Sequence, residues 1–350
     1  FLKKGLHHIQ MPAAFSDCAN ATELDGDGAC AADIVSYKRD GCVFPVRGLI
    51  PPNRLRYMNS VLTGLVNDRP HDLAAEDLLN MHFISPLILD FCREPRVLDF
   101  VKQALGTEDV SVFTSRILCK EPGTGRRIEW HQDSLYWPLI APDSDASLDG
   151  RDYLHTNPVA CSLWLALDDI TEENGPMHVL NFCDCEESRE QHLPMSFIRD
   201  TGGSTRGFSN FNLSVDVEKL GCAAAVRDSL NSCVEGEPVS ESFNTVPGQR
   251  AVLLRFGDAE FHSSWTVHMS EANKSSQHRR MAWIVRYVPT GTRVVGGQRD
   301  AFPAEFRLMP VSGKGAEALP NLGEKPPAQN HLSDPQIYTP CYGDNTIFKK

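Results

Sequence analysis

The segment Glu129-Trp-His-Gln-Asp133 sets two metal-binding residue types two positions apart. Residues i and i+2 of an extended strand face the same side, so His131 and Asp133 would present an imidazole and a carboxylate together. A second imidazole from elsewhere would complete a facial triad, which suits iron(II) and leaves metal positions open for other ligands. The carboxylate argues against structural zinc, which prefers thiolates in a closed tetrahedron. A single His-x-Asp occurs about once by chance in a chain of this composition, so its context must decide.

That context is a second histidine followed at a fixed distance by an arginine. His268 ends one predicted strand, and Arg279 stands eleven residues later, at the start of the next strand. A tight turn through 273–277 would set the two strands side by side and aim Arg279 into the same cavity. The guanidinium fork of an arginine suits the distal carboxylate of a keto-diacid. Arg280 would face the opposite side of the strand, and we predict Arg279 to be the inward residue.

Two alternatives compete with this reading of the histidines. His131 and Asp133 could form an ion pair on a surface strand, which would leave the downstream residues unexplained. His262 could replace His268 as the second imidazole, but it stands seventeen residues before Arg279 and follows the Gly257-Asp258 turn. We therefore predict that His262 is a packed histidine.

The apolar pattern along the chain predicts helices first and strands afterwards. Pro51–Val66 and Pro86–Leu105 carry apolar residues at helical spacing. From about residue 108 the apolar period changes to two, and turn signals separate seven predicted strands: 110–119, 127–133, 159–167, 176–180, 250–256, 264–270 and 281–288. This order predicts a mainly β protein with flanking helices and a double-stranded β-helix, or jelly-roll, core.

The same pattern predicts how the chain is divided. Residues 1–39 read as a loosely ordered leader, and residues 40–311 as a single domain whose jelly-roll core runs from about 108 to 290. The segment 181–245 is an insertion too long for a structureless loop, so we expect it to carry structure or act as a lid. Residues 312–350, rich in Pro and Gly, are predicted to form a surface tail.

Composition limits the partners of this 350-residue chain. Its formal net charge of -12 argues against nucleic acid or an anionic membrane as the main partner. No apolar run approaches the roughly 20 residues that span a bilayer. Eleven scattered cysteines suggest free thiols in a reducing compartment, either the cytoplasm or an organelle, and nothing near the N-terminus resembles a signal peptide.

Taken together, the motifs resemble the phytanoyl-CoA dioxygenase family of iron(II)- and 2-oxoglutarate-dependent oxygenases. The resemblance covers about residues 40–289. Its motifs are the Lys120-Glu-Pro-Gly123 turn, His131-Gln-Asp133 with Tyr136-Trp-Pro138, Trp164, the Glu173-Asn-Gly-Pro turn, and His268, Ser270, Asn273 and Arg279 at the family's spacing. It implies iron(II), 2-oxoglutarate and O₂ as reactants, ascorbate as a supporting reductant, and succinate and CO₂ as products.

The resemblance also implies residue roles. His131, Asp133 and His268 would hold the iron, and Arg279 and Ser270 would bind the distal carboxylate of 2-oxoglutarate. Trp164 would line the cosubstrate site, with Arg116 near it and either Asn80 or His82 contributing from the helical layer. Tyr136 and Trp137 are candidate walls of the substrate pocket. The family's halogenating relatives lack a carboxylate at this position. Because Asp133 is a carboxylate, the resemblance favours hydroxylation over halogenation.

One departure from the family pattern leaves the substrate open. Where the family has Val-x-Pro-Gly-Ser-His, this chain has Val179-Leu-Asn-Phe-Cys-Asp184, and the long insertion follows at once. A lipid or acyl-CoA and a specialised metabolite are both compatible small-molecule substrates. The same core could desaturate or cyclise its substrate, and a metal- or ligand-binding jelly roll without turnover is the alternative of another class. The sequence gives no indication of an oligomeric state.

Overall fold

The computed structural model describes residues 30–69, 78–83, 85–123, 125, 127–135, 137, 139–142, 160–180, 196–199, 211–214, 249–294 and 308–313. The helices are α1 Ala31–Asp40, α2 Pro52–Asn67, α3 Pro86–Phe91 and α4 Pro95–Leu105. The strands are β1 Cys42–Val46, β2 Leu78–Leu79, β3 Val110–Lys120, β4 Ile128–His131, β5 Leu139–Ile140, β6 Cys161–Ala166, β7 Met177–Leu180, β8 Ser196–Arg199, β9 Phe211–Ser214, β10 Gln249–Val252, β11 Ala259–Ser263, β12 Val267–Ser270, β13 Arg280–Pro289, β14 Arg293–Val294 and β15 Met309–Ser312.

The helices differ from the sequence-based expectation in two places. The helix predicted over Pro86–Leu105 is divided into α3 and α4, because Pro95 cannot continue a helix from the preceding turn but is favourable in the first turn of a new one. Helix α1 lies within the predicted leader, and its Ile34 and Tyr37 are buried in the core. The prediction of a loose leader is therefore wrong for its last nine residues. The described helices include none that is both long and apolar enough to cross a membrane.

Two antiparallel sheets face each other and form the jelly-roll core, which confirms the predicted fold class. Within the described residues, the larger sheet has the order β1-β11-β6-β13-β3-β15, with β2 also paired to β3, and the smaller sheet has the order β10-β7-β12-β4. Strand β11 lies in a segment for which the sequence pattern predicted no strand. His262 does follow the turn at Gly257, as predicted, but it lies within β11. The domain limits at residues 40 and 311 stay predictions.

Strand alternation gives the larger sheet two different faces. On β13 the side chains of Met281, Trp283, Val285 and Tyr287 join the core under the helices. Ala282 and Ile284 face the other way and pack with Trp164 and the smaller sheet. Charged residues that share this second face, which we call the inner face, must therefore lie between the sheets, where the site residues are found.

Candidate metal centre and adjoining pocket

The predicted metal ligands meet on two adjacent strands of the smaller sheet. His268 on β12 lies directly opposite His131 on β4, and their ring centroids are 4.1 Å apart. Asp133 begins a short 3-10 turn immediately after β4. One ligand atom from each of these three residues lies within 4.8 Å of the others. The structure thus brings together the three residues predicted as metal ligands.

Hydrogen bonding and burial prepare His268 to act as a ligand. Its Nδ1 lies 2.9 Å from the carbonyl oxygen of Thr266, so Nδ1 carries the proton and Nε2 presents its lone pair. Burial, and secondarily the neighbouring His131, lowers the pKa of His268 well below its ordinary value. The imidazole is therefore neutral near pH 7, as metal binding requires.

Asp133 is buried as a carboxylate among cationic neighbours. Burial by itself would raise its pKa, but Arg286 and the histidines around it outweigh burial and hold the pKa well below its ordinary range. The Arg286 Nε lies 3.4 Å from Asp133 Oδ2. His262 Nε2 is 3.9 Å from the same oxygen, and His131 Nε2 is 3.7 Å from Oδ1. The carboxylate is ionised without a metal, so the site carries the charge that a cation needs.

The donor set fits iron(II). Two imidazole nitrogens and one carboxylate oxygen form the ligand set of the facial triad, which leaves metal positions for other ligands. A closed structural zinc site would need a fourth donor and would favour thiolates. The three residues present are therefore those that an open, redox-active iron site requires.

Beside the metal centre, two cations are fully buried between the sheets. Arg280 and Lys120 are cross-strand partners on β13 and β3, and both have 0% exposure. Lys120 Nζ donates a 2.8 Å hydrogen bond to Ser270 Oγ and also contacts the carbonyl oxygen of Glu271. The Arg280 guanidinium lies 5.1 Å from the centroid of the Trp164 ring. Because burying charge is costly, such a pair of cations favours an anionic guest.

The turn at Asn174-Gly175 holds this pocket in place. The Gly175 carbonyl oxygen accepts a 3.0 Å hydrogen bond from Arg280 Nε, and Asn174 Nδ2 donates to the carbonyl oxygen of Arg279. Gly175 has φ +87°, and a Cβ there would lie 2.6 Å from the carbonyl oxygen of Glu271. Glycine is therefore required by both the backbone conformation and the space.

The structure contradicts the prediction that Arg279 points into the site. Arg279 precedes β13, and its Nε donates a 3.0 Å hydrogen bond to Asp168 Oδ2, while its Nη2 donates to Thr63 Oγ1. Both side chains of the Arg279–Asp168 ion pair are partly exposed. The pairing of β13 with β3 places Arg280, the residue that we predicted to face outward, on the inner face instead.

The other predicted cosubstrate residues divide into two groups. Trp164 and Arg116 are both cross-strand partners of Ile284, so they lie on the inner face together with Ser270 from the facing sheet. Arg116 thus shares a face with Lys120. Asn80 follows β2, and its main-chain nitrogen and its Oδ1 bond to the backbone of Ser115 on β3. A role for Asn80 in the cosubstrate site stays a prediction.

Trp137, a predicted pocket wall, lies close to the metal centre. Its side chain is buried, and the Arg286 guanidinium lies 5.0 Å from its ring centroid. The neighbouring candidate Tyr136 lies outside the described residues. So does the insertion over 181–245, apart from the paired strands β8 and β9. A substrate-binding role for Trp137 stays a prediction.

Sequence reasoning missed the roles of three residues of this region, Lys120, Glu260 and Arg286, and it missed the inward orientation of His262. His262 Nδ1 lies 2.8 Å from Glu260 Oε2, and both side chains are buried. Burial would lower the pKa of His262, but Glu260 and Asp133 outweigh it and raise the pKa to about 9. The signal available in the sequence was the alternation Glu260-x-His262, which puts two polar residues on one strand face.

Comparisons with known proteins agree with this geometry. A model of the family described as Phytanoyl-CoA dioxygenase (PhyH) matches residues 64–181, which include His131, Asp133 and Trp164. An ectoine dioxygenase of Bordetella bronchiseptica is 25% identical over 194 residues, which are 51% of this chain and 58% of that protein. The chain thus spans less than two thirds of the length of this relative. An L-proline trans-4-hydroxylase of Streptomyces griseoviridis is 25% identical over 267 residues, or 72% of this chain and 84% of that protein.

Solved structures show the same fold. A non-heme monooxygenase, ThoJ, aligns with a TM-score of 0.54 and 19% identity, covering 87% of this chain and 91% of that one. The non-heme alpha ketoglutarate dependent carbocyclase SnoK, from nogalamycin biosynthesis, aligns with a TM-score of 0.51 and 20% identity over 78% of this chain and 88% of its own. With a facial ligand cluster between two jelly-roll sheets, the chain is similar to the phytanoyl-CoA dioxygenase family, whose model matches residues 64–181.

Proposed function

We propose that this chain is an iron(II)- and 2-oxoglutarate-dependent dioxygenase that hydroxylates an unactivated C–H bond of a small organic molecule. The observation that carries the proposal is the pairing of two sites between the sheets. The metal-ligand cluster of His131, Asp133 and His268 lies beside the buried cations Lys120 and Arg280. The first fits iron(II), and the second fits the far end of a dianion.

The spacing of the two sites suits 2-oxoglutarate. Ser270, which Lys120 contacts, stands two residues after His268 on β12, and two strand residues span roughly 7 Å. A five-carbon keto-diacid that binds the metal through its keto end would extend its distal carboxylate over about that distance. Lys120, Ser270 and Arg280 would then donate to the carboxylate, and Trp164 would form the wall under the guanidinium.

The chemistry comes from the bound cofactor and the protein positions it. Iron(II) with 2-oxoglutarate and O₂ supplies oxidation of a C–H bond, in which R–H, 2-oxoglutarate and O₂ give R–OH, succinate and CO₂. His131, Asp133 and His268 hold the metal on one side and leave its other positions open. The inner-face residues Ala282 and Ile284, which pack with Trp164, exclude bulk water from the cosubstrate side.

A small polar metabolite is the substrate class that we propose. The relatives similar to this chain are named for ectoine, L-proline and hypophosphite, which are all small and polar. Arg286 lies beside the metal-ligand cluster and Arg116 lies on the same face, so the inner face carries positive charge near the site, which suits a substrate with an anionic group. These features favour such a metabolite over a lipid or an acyl-CoA. The same core can also support desaturation or oxidative cyclisation.

The cysteines support a reducing compartment, which we propose as the location of the protein. Those in the described part of the chain, Cys30, Cys42, Cys92, Cys119 and Cys161, are free thiols. The last four are buried, and burial raises their pKa, to about 12 for Cys42, Cys119 and Cys161 and well above the ordinary value for Cys92. They are therefore unreactive packing residues rather than redox groups.

Succinate release tests the proposed function without knowledge of the substrate. Purified protein with iron(II), 2-oxoglutarate, ascorbate and air is expected to form succinate slowly, through turnover uncoupled from substrate. Removing O₂ or chelating the iron should stop it. Protein that binds iron but neither binds 2-oxoglutarate nor forms succinate would contradict the proposal and favour a metal-binding jelly roll without turnover.

A further inference from the structure

A polar row crosses four strands of the larger sheet at the level of Asp133. Cross-strand pairing puts His262 of β11 beside Ser162 of β6, Ser162 beside Arg286 of β13, and Arg286 beside Thr114 of β3. Directly paired residues point to the same side of a sheet, so all four side chains face the smaller sheet and its metal ligands. The row lies between the sheets, where buried polar side chains are costly unless they find partners, so it calls for a functional reason.

The two oxygens of Asp133 have different surroundings. Oδ2 faces two nitrogens of the polar row, Arg286 Nε at 3.4 Å and His262 Nε2 at 3.9 Å. Oδ1 faces the ligand cluster, with His131 Nε2 at 3.7 Å. An ionised carboxylate only accepts hydrogen bonds, and Arg286 Nε lies within hydrogen-bond distance of Oδ2, while His262 Nε2 faces the same oxygen from just beyond that distance.

Glu260 fixes the orientation of His262. Its two carboxyl oxygens lie 2.8 and 3.1 Å from Nδ1 of His262, on the ring side opposite the one that faces Asp133. The two residues stand two positions apart on one strand, and Glu260 is completely buried. A buried carboxylate behind an imidazole is the arrangement that sets ring orientation around metal sites. Here, however, the imidazole faces a ligand carboxylate and does not itself belong to the ligand cluster.

We propose that Glu260 and His262, together with Arg286, act as positioning residues that hold Oδ2 of Asp133, so that Asp133 binds the metal through Oδ1 alone. This inference rests on the proposed function only in requiring that the cluster bind a divalent metal. A carboxylate held by one oxygen occupies one metal position and not two. The row thus keeps a position available for the other ligands that the site must accept.

Cobalt(II) is the probe, because its visible absorption reports ligand number and needs no turnover. The decisive pair is His262→Met and His262→Gln, which are similar in volume, while only glutamine keeps an N–H near the position of Nε2. His262→Met is expected to weaken cobalt(II) binding roughly 10- to 100-fold and to change the absorption bands. His262→Gln should restore most of the affinity and the original bands.

The control is His82→Met, which changes an equally buried histidine on the helix-facing side of the larger sheet. His82 Nδ1 bonds to Ser115 Oγ, so its loss should lower thermal stability and leave the cobalt(II) affinity unchanged. Should His262→Met fail to fold, Glu260→Gln serves instead. It is expected to reduce affinity by less than His262→Met and to shift the same bands.

The outcomes separate this inference from the proposed function. Equal affinity and equal spectra for the unmodified chain, His262→Met and Glu260→Gln would overturn the positioning role alone. Loss of binding in His262→Met as complete as in a variant of His268 would overturn it in favour of His262 as a fourth ligand. An unmodified chain that binds no cobalt(II) would contradict the proposed function itself.

Discussion

Asp133→Ala is expected to abolish iron(II) binding while leaving the protein folded. The substitution removes one of three ligands and also the anion that Arg286 and His262 face, so two cationic side chains would surround an empty position. The loss of affinity should exceed about 100-fold, because removing residues behind a ligand already costs roughly 10- to 100-fold. Anaerobic iron(II) titration, with circular dichroism to confirm the fold, measures the effect.

Asp168→Ala is the matched control for that experiment. It also removes a carboxylate paired with an arginine, but the pair with Arg279 is partly exposed and stands apart from the ligand cluster. Iron(II) affinity should be unchanged and stability slightly lower, since exposed ion pairs contribute about 0–1 kcal/mol. Equal iron(II) binding by Asp133→Ala and the unmodified chain would remove Asp133 from the ligand set.

Arg280→Met is expected to raise the concentration of 2-oxoglutarate needed for half-saturation by about thirtyfold or more. Removing one partner of a buried, hydrogen-bonded charge pair costs about 2 kcal/mol at least, which corresponds to that change in affinity. Metal binding should be retained, because Arg280 contacts Gly175 and Trp164 and does not belong to the ligand cluster. Calorimetric titration of the metal-loaded protein with 2-oxoglutarate gives both results.

The neighbouring arginine supplies the comparison. Arg279→Met breaks the ion pair with Asp168 and the bond to Thr63, and we expect it to leave 2-oxoglutarate affinity within about twofold of the original, as for other partly exposed pairs. In the reverse result, Arg279→Met would bind 2-oxoglutarate weakly and Arg280→Met would bind it normally. That result would show that the cosubstrate arginine is identified by the family's eleven-residue spacing and not by the side of β13 on which it lies.

The contrast between these two arginines shows where sequence reasoning stopped. His131 and Asp133 could be assigned because two residues of one short segment depend only on local alternation. The arginine depends on how many residues the turn after β12 absorbs, and that turn is shaped by distant contacts. Asn273 Nδ2, for example, donates to the carbonyl oxygen of Lys120, 153 positions away in the sequence. One residue of difference inverts the face of every side chain on β13.

The sequence pattern did not predict the polar row, for a related reason. Glu260 and His262 are buried polar residues, and a pattern that equates buried with apolar predicts no strand over their segment. Their burial is tolerated because each finds a partner: Glu260 pairs with His262, and His262 faces Asp133. Asp133 is distant from β11 in sequence, so only the assembled sheets reveal why the strand β11 forms there.

Metal-dependent binding of 2-oxoglutarate is the most direct test of the central claim that the cluster of His131, Asp133 and His268 and the buried Lys120–Arg280 pair form one site. Anaerobic calorimetry should find one 2-oxoglutarate bound per chain when iron(II) is present, and at least tenfold weaker binding after the metal is removed. Binding that is absent with iron(II), or that is equally tight without it, would contradict the account.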